Sequence, residues 1–139
     1  MPTKKVPTKR DRRKSANLIL RELMLEKLNS PRMHKYLEKC EPGCTKFFDS
    51  LDEDEKLELI RQVDKPIGEA VYDFFYSVNN WSSIADGYMY GMAGLRRRLK
   101  EVMAAKEDVK DTDELYEEYK REEKGLVETI EYVDKRRGK

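Results

Sequence analysis

Histidine, tryptophan and cysteine are nearly missing from this chain. Its 139 residues hold one histidine (His34), one tryptophan (Trp81) and two cysteines (Cys40 and Cys44). With one imidazole, a histidine-based catalytic triad would have to be built on His34. No glycine-rich phosphate loop stands ahead of a helix-forming segment. Two cysteines in a chain this size, without an export signal, read as free thiols rather than as a disulfide framework. Nothing approaches the ~18 consecutive apolar residues of a membrane span. The basic N-terminus is not followed by a clean apolar segment with a small-residue cleavage site. The expectation is a cytoplasmic, soluble protein without membrane contact, cofactor or catalytic residues.

What is abundant is charge. Charged residues make up 41% and apolar residues 38%, against about a quarter and just under half in ordinary domains. Such a chain must gather its apolar residues on one stripe of each helix. Net charge is +1, so the bulk balance says nothing about partners, but its distribution does. Within residues 1–14, Lys4, Lys5, Lys9, Arg10, Arg12, Arg13 and Lys14 face Asp11 alone. That is +6 on the arm, which leaves the body near −5. Prolines at 2 and 7 and the dense charge predict a disordered basic arm over 1–14, followed by one helical domain over 15–139.

The apolar spacing predicts five or six helices and no strands. Ser15 is placed to cap the first, whose apolar run is Leu18, Ile19, Leu20, Leu23, Met24, Leu25 and Leu28. Ser30-Pro31 starts a second, a cap followed by proline at the first helical position, and Glu41-Pro42-Gly43 stops it. Ser50 with Glu53 fits a capping box ahead of an acidic helix striped by Leu51, Leu57, Ile60 and Val63. Pro66 opens a helix carrying Val71, Phe74 and Phe75, the most aromatic segment and the expected central core. A turn at 79–81 with Ser82 as cap leads into one long helix over 83–106. A last, highly charged helix over 112–136 has a narrow seam (Leu115, Tyr119, Leu126, Ile130, Val133), as in an arm that projects or docks along one edge.

Five features are candidates for function. Gly87, Gly91 and Gly94 lie inside the long helix, where each costs up to ~1 kcal/mol against alanine. Their spacing points to close packing by another backbone, including self-association, on a face with Tyr88. Trp81 is the best single recognition residue, since tryptophan is enriched at binding hot spots; a core anchor beside Phe74 and Phe75 fits the same position. The basic arm, with Arg96, Arg97 and Lys100 on the long helix, is the nucleic-acid candidate, because cations neutralise phosphates without fixed structure. His34, Cys40 and Cys44 could give zinc three ligands, with Asp49 as a fourth. The acidic run from Asp49 to Glu58 lacks the glycine of a calcium loop and reads as a helix N-terminus favouring acids, or as an acidic contact surface.

The stretch from Ile84 to Leu95 carries Ala85-x-Gly87-Tyr88-x-x-Gly91-x-x-x-Leu95. It resembles the A-x-G-[FY]-x-x-G-x-x-x-[LM] signature of an uncharacterised family of small helical proteins from Gram-positive bacteria and their phages. The resemblance covers residues 51–105. It implies an all-α fold and a bacterial or phage setting, and assigns no active-site residue. The expected function is therefore a non-enzymatic protein-binding module. By analogy it is an accessory or inhibitor protein that occupies a surface of a larger host protein or nucleic-acid machine. A nucleic-acid-binding accessory protein is the alternative, and a metal protein around His34 the third.

Overall fold

A proline at the first position of a helix fixes φ where the missing N–H is not needed, and this chain uses the device twice. The computed structural model describes the backbone of residues 9–78 and 80–137, with side chains from residue 15. Among the described residues there are seven α-helices, one 3-10 turn and no strand. The all-helical expectation therefore holds. Helix α1 (Lys9–Leu28) begins earlier than expected, so Ser15 lies inside it rather than capping it. The basic stretch Lys9–Lys14 is its first turns. Residues 1–8, with Lys4 and Lys5, lie outside the described residues, as do the side chains of Lys9 to Lys14.

Helix α2 (Pro31–Cys40) starts as the sequence predicts: the Ser30 hydroxyl accepts from the Met33 N–H at 3.2 Å. The Pro42-Gly43 stop is followed by a helix not foreseen, α3 (Cys44–Asp49), entered through Gly43 in the left-handed conformation. Glu38 reaches across that turn and accepts from the N–H groups of Gly43 and Thr45 at 2.8 and 3.3 Å. Those bonds hold its carboxyl below the ordinary glutamate value.

Helix α4 (Glu53–Glu58) is short and capped by Asp52, not Ser50. Asp52 bonds the Glu55 N–H at 2.8 Å, and Glu55 returns a bond to the Asp52 N–H at 3.1 Å. The Ser50 hydroxyl is already engaged, donating to the carbonyl of Phe47 at 2.6 Å. The chain then tightens into the 3-10 turn Leu59–Arg61, which turns Val63 out to solvent instead of onto the expected stripe.

Helix α5 (Pro66–Ser77) contributes Val71 and Phe75 to the core. A Cβ at Gly68 would collide with the backbone carbonyl of Gln62, so only glycine lets α5 start against that turn. Helix α6 (Trp81–Glu107) already includes Ser82 in its first turn. Helix α7 (Glu114–Arg136) is capped by Asp113, which accepts from the Leu115 N–H at 3.0 Å.

α1 is the hub, with Leu20, Met24 and Leu28 fully buried. It packs on α6, α4 and α7. α7 does not project: among the described residues it makes the most extensive helix contact, on α6, with Leu126, Thr129 and Val133 buried. Arg136 ties its end to Glu22 of α1 at 3.6 Å. Gly125, which looks like an interruption of the seam, is where α7 passes close against the start of α6. A Cβ there would sit 3.1 Å from the Asn80 Cα and from the Ser83 hydroxyl. No described helix is long and apolar enough to cross a membrane.

Candidate functional site

Residues one helical turn apart share a face. On α5 that brings Tyr72 and Tyr76 together, their rings stacked with centroids 4.4 Å apart. On the first half of α6 it aligns Asp86 with Tyr90. The two faces meet where the Tyr76 hydroxyl donates a hydrogen bond to Asp86 Oδ1. Directly after Tyr90 the helix breaks, for Gly91 has φ 77° and ψ 177°. That region is essentially open to glycine alone. The second half of α6 then restarts and brings Arg98 onto Glu122 of α7, a two-pronged pair at 2.6 and 3.1 Å.

Burial sets the electrostatics. Asp86 is more than half buried, and this above all raises its pKa above the ordinary aspartate value. Nearby Glu122 adds to the rise, while the Tyr76 hydrogen bond and Arg98 oppose it. The Tyr76 phenol is pushed up as well, by burial first and then by its bond to the Asp86 carboxylate, with the Tyr72 and Tyr90 hydroxyls close enough to contribute. Tyr90 itself is 64% exposed. The arrangement is one half-sunk carboxylate with an aromatic rim open to solvent. Perturbed titration beside a strained backbone is a recurrent mark of functional surfaces.

The carboxylate gives a stability prediction whose sign is fixed. A carboxyl whose folded pKa is raised favours the protonated native state. Its contribution is fully present below the ordinary aspartate range and is lost as pH rises from there through the folded value. Asp86→Asn removes that loss. Relative to wild type, the variant should gain stability between pH 4 and pH 7 in urea unfolding. A difference that is flat across this range, or that runs the other way, contradicts the assignment.

The residues singled out from sequence are scattered. Trp81 is 7% exposed, edge-on to Phe74 at 5.3 Å and tilted on Phe75 at 5.5 Å. Lys27 and Arg32 lie over its ring at 5.5 and 5.7 Å. It anchors the core rather than offering a recognition surface. Gly87 is buried within the chain itself, where a Cβ would meet Leu20 Cδ2 of α1 at 2.8 Å and Leu95 Cδ1 at 2.9 Å. Gly94 makes room for the Tyr90 side chain, at 2.5 Å from its Cβ. Gly91 is not a packing glycine at all: a Cβ there would have nothing within 4 Å. Three glycines read as one packing face thus serve three purposes. Tyr88 is half-buried under the Arg61 guanidinium at 4.8 Å.

The metal candidates do not converge. Among the described residues no three His, Cys, Asp or Glu side chains are grouped to hold a metal ion. His34 Nε2 lies 2.9 Å from Asp49 Oδ1, yet makes no hydrogen bond of good geometry; its ring packs edge-on to Phe48. Both thiols are free, Cys40 exposed and Cys44 partly covered, and burial raises the Cys44 thiol above its usual value.

Of the basic group on α6, Arg96 contacts Asp134 at 3.4 Å and Arg98 holds Glu122. Arg97 and Lys100 are exposed. The acidic helix α4 is tied inward in part, with Glu53 and Asp54 on Arg21 of α1 at 3.4 and 3.1 Å.

Sequence reasoning passed over Tyr76, Asp86 and Tyr90. A signal was present, because Asp86 is the sole charged residue between Trp81 and Leu95. An acid alone in an apolar helical stretch is placed to be partly buried. No protein family, curated protein or solved structure matches this chain.

Proposed function

We propose that the chain is a non-enzymatic helical binding module whose contact surface is the tyrosine–aspartate face at the Gly91 break. The observation that carries this reading is the coincidence of a glycine-only conformation inside the longest helix with an exposed tyrosine and a half-buried carboxylate beside it. Tyrosine offers broad amphipathic contact area at low conformational cost, which makes it a residue of recognition. Catalysis has less support there. Asp86 is paired with a phenol whose proton is held more tightly than usual, so neither group activates the other as a nucleophile.

In keeping with the family resemblance, the module acts in the cytoplasm of a bacterium or infected cell. There it occupies a surface of a larger protein or nucleic-acid-processing complex. A direct nucleic-acid role has weaker support, because Arg96 and Arg98 are engaged by carboxylates and only Arg97 and Lys100 of that group face solvent without a described partner.

The test is affinity capture from the native host with wild-type protein and Tyr90→Ala, with and without nuclease. The expected result is a partner protein retained after nuclease and lost with Tyr90→Ala, while circular dichroism of the two proteins is the same. Equal capture by both proteins, or capture that disappears with nuclease, overturns the reading.

A further inference from the structure

Aromatic rings in this chain are repeatedly covered by its own cations. Arg61 lies over Tyr88 at 4.8 Å, Lys56 over Phe48 at 5.0 Å, and Arg136 over Tyr132 at 5.8 Å. Trp81 takes both Lys27 and Arg32. The Tyr72–Tyr76–Tyr90 group has no such cover among the described residues, although Tyr90 is the most exposed large hydrophobic side chain among them.

The carboxylate beneath it is similarly under-compensated. Tyr76 donates to Asp86 Oδ1, and no described side chain donates to Oδ2. No lysine or arginine among the described residues forms an ion pair with Asp86. Arg98, the cation whose charge acts on it, is committed to Glu122 through two nitrogens. A partly buried anion with one neutral donor gains from a cation brought to it.

We infer that this face receives an arginine side chain from the protein partner, its guanidinium on the tyrosine faces and its N–H groups on Asp86. The chemistry selects arginine over lysine for two reasons. A planar guanidinium stacks on aromatic rings and donates in a fork to one carboxylate. It is also more weakly hydrated than an ammonium and so better suited to a half-buried position. The inference rests on the binding-module reading and adds the chemistry of the partner to it.

The experiment uses the full chain and small probes: Nα-acetyl-arginine methylamide, its lysine counterpart, and the neutral citrulline counterpart. Tyrosine ring and backbone resonances are followed by NMR through a titration into the millimolar range. The expected result is saturable shifts at Tyr76, Asp86 and Tyr90 with the arginine probe. Affinity should be about tenfold weaker with citrulline, and similarly weakened by Asp86→Asn and by Tyr90→Ala.

Equal response to citrulline, preference for lysine, or shifts spread without saturation over all surface carboxylates would overturn the inference. The outcome separates from that of the capture experiment. If Tyr90→Ala loses the captured protein while the arginine probe produces no saturable shift, the face binds its partner by other chemistry. If the capture is also unaffected, the binding surface itself is misplaced. Asp86→Asn removes a destabilising charge, so misfolding of that variant is not expected, and Tyr90→Ala, at a largely exposed position, gives an independent second reading.

Discussion

Trp81→Ala is expected to lower stability by about 3–5 kcal/mol, the range for truncating a large buried aromatic. The ring is 7% exposed and packs on Phe74 and Phe75, while the stems and charges of Lys27 and Arg32 close over its outer face. It is also the first residue of α6, so the same side chain joins α1, α2 and α5 to the start of the longest helix. Domains of this size are stable by only about 5–15 kcal/mol. The loss should therefore bring the thermal midpoint down by roughly 10 °C or more, measured by circular dichroism because the tryptophan signal is gone. A hot-spot tryptophan would behave differently: its removal would leave the midpoint in place and abolish only partner binding. That second outcome would sink the core-anchor assignment.

Gly91→Ala should cost about 1–3 kcal/mol, the price of holding a non-glycine residue in a region that L-residues avoid. Space is not the difficulty, since nothing lies within 4 Å of the added Cβ; the cost is purely in the backbone. If α6 instead straightens to escape the strain, the second half of the helix rotates. Arg98 then leaves Glu122, and Tyr90 leaves the Tyr76–Asp86 pair. Either response reduces stability, and the second also disturbs the candidate site. The check is the thermal midpoint alongside the Tyr76 and Tyr90 resonances. An unchanged midpoint with unchanged tyrosine shifts would show that the break is not a built feature. Because Gly87 is covered by Leu20 and Leu95 and a Cβ at 91 would meet nothing, a Gly91 variant tests the shape of the chain itself.

Several features are legible in the sequence because their causes are local. Ser30-Pro31 and Lys65-Pro66 start helices through groups within a few residues of each other, and Pro42-Gly43 stops one for the same reason. The aromatic stripe of residues 66–77 is buried as its period requires. Caps were less legible where two candidates compete. Ser50 and Asp52 both suit the position, and the choice falls to Asp52 because α3, unforeseen in the sequence, takes the Ser50 hydroxyl for its Phe47 carbonyl. Val63 missed its stripe because a 3-10 turn changes the angle per residue and shifts everything after it.

The candidate site was the least legible part. Helical spacing places Tyr72 with Tyr76, and Asp86 with Tyr90, and so defines two half-faces. Nothing in the linear order says that the half-faces meet. Nor does it tell Gly91, which breaks the helix, from Gly87, which yields to α1, or Gly94, which yields to Tyr90.

The sequence by itself determined an all-helical chain, most of its helix starts and stops, and the poverty of familiar catalytic side chains. These follow from dihedral preferences, hydrogen bonds and apolar periods that act over one or two turns. Only the tertiary structure decided that Trp81 is an anchor, that Gly91 is a break, and that Asp86 sits half-buried under tyrosines. Each of these depends on what a distant segment brings to the residue, and burial, close approach and strain are properties of the meeting rather than of either partner.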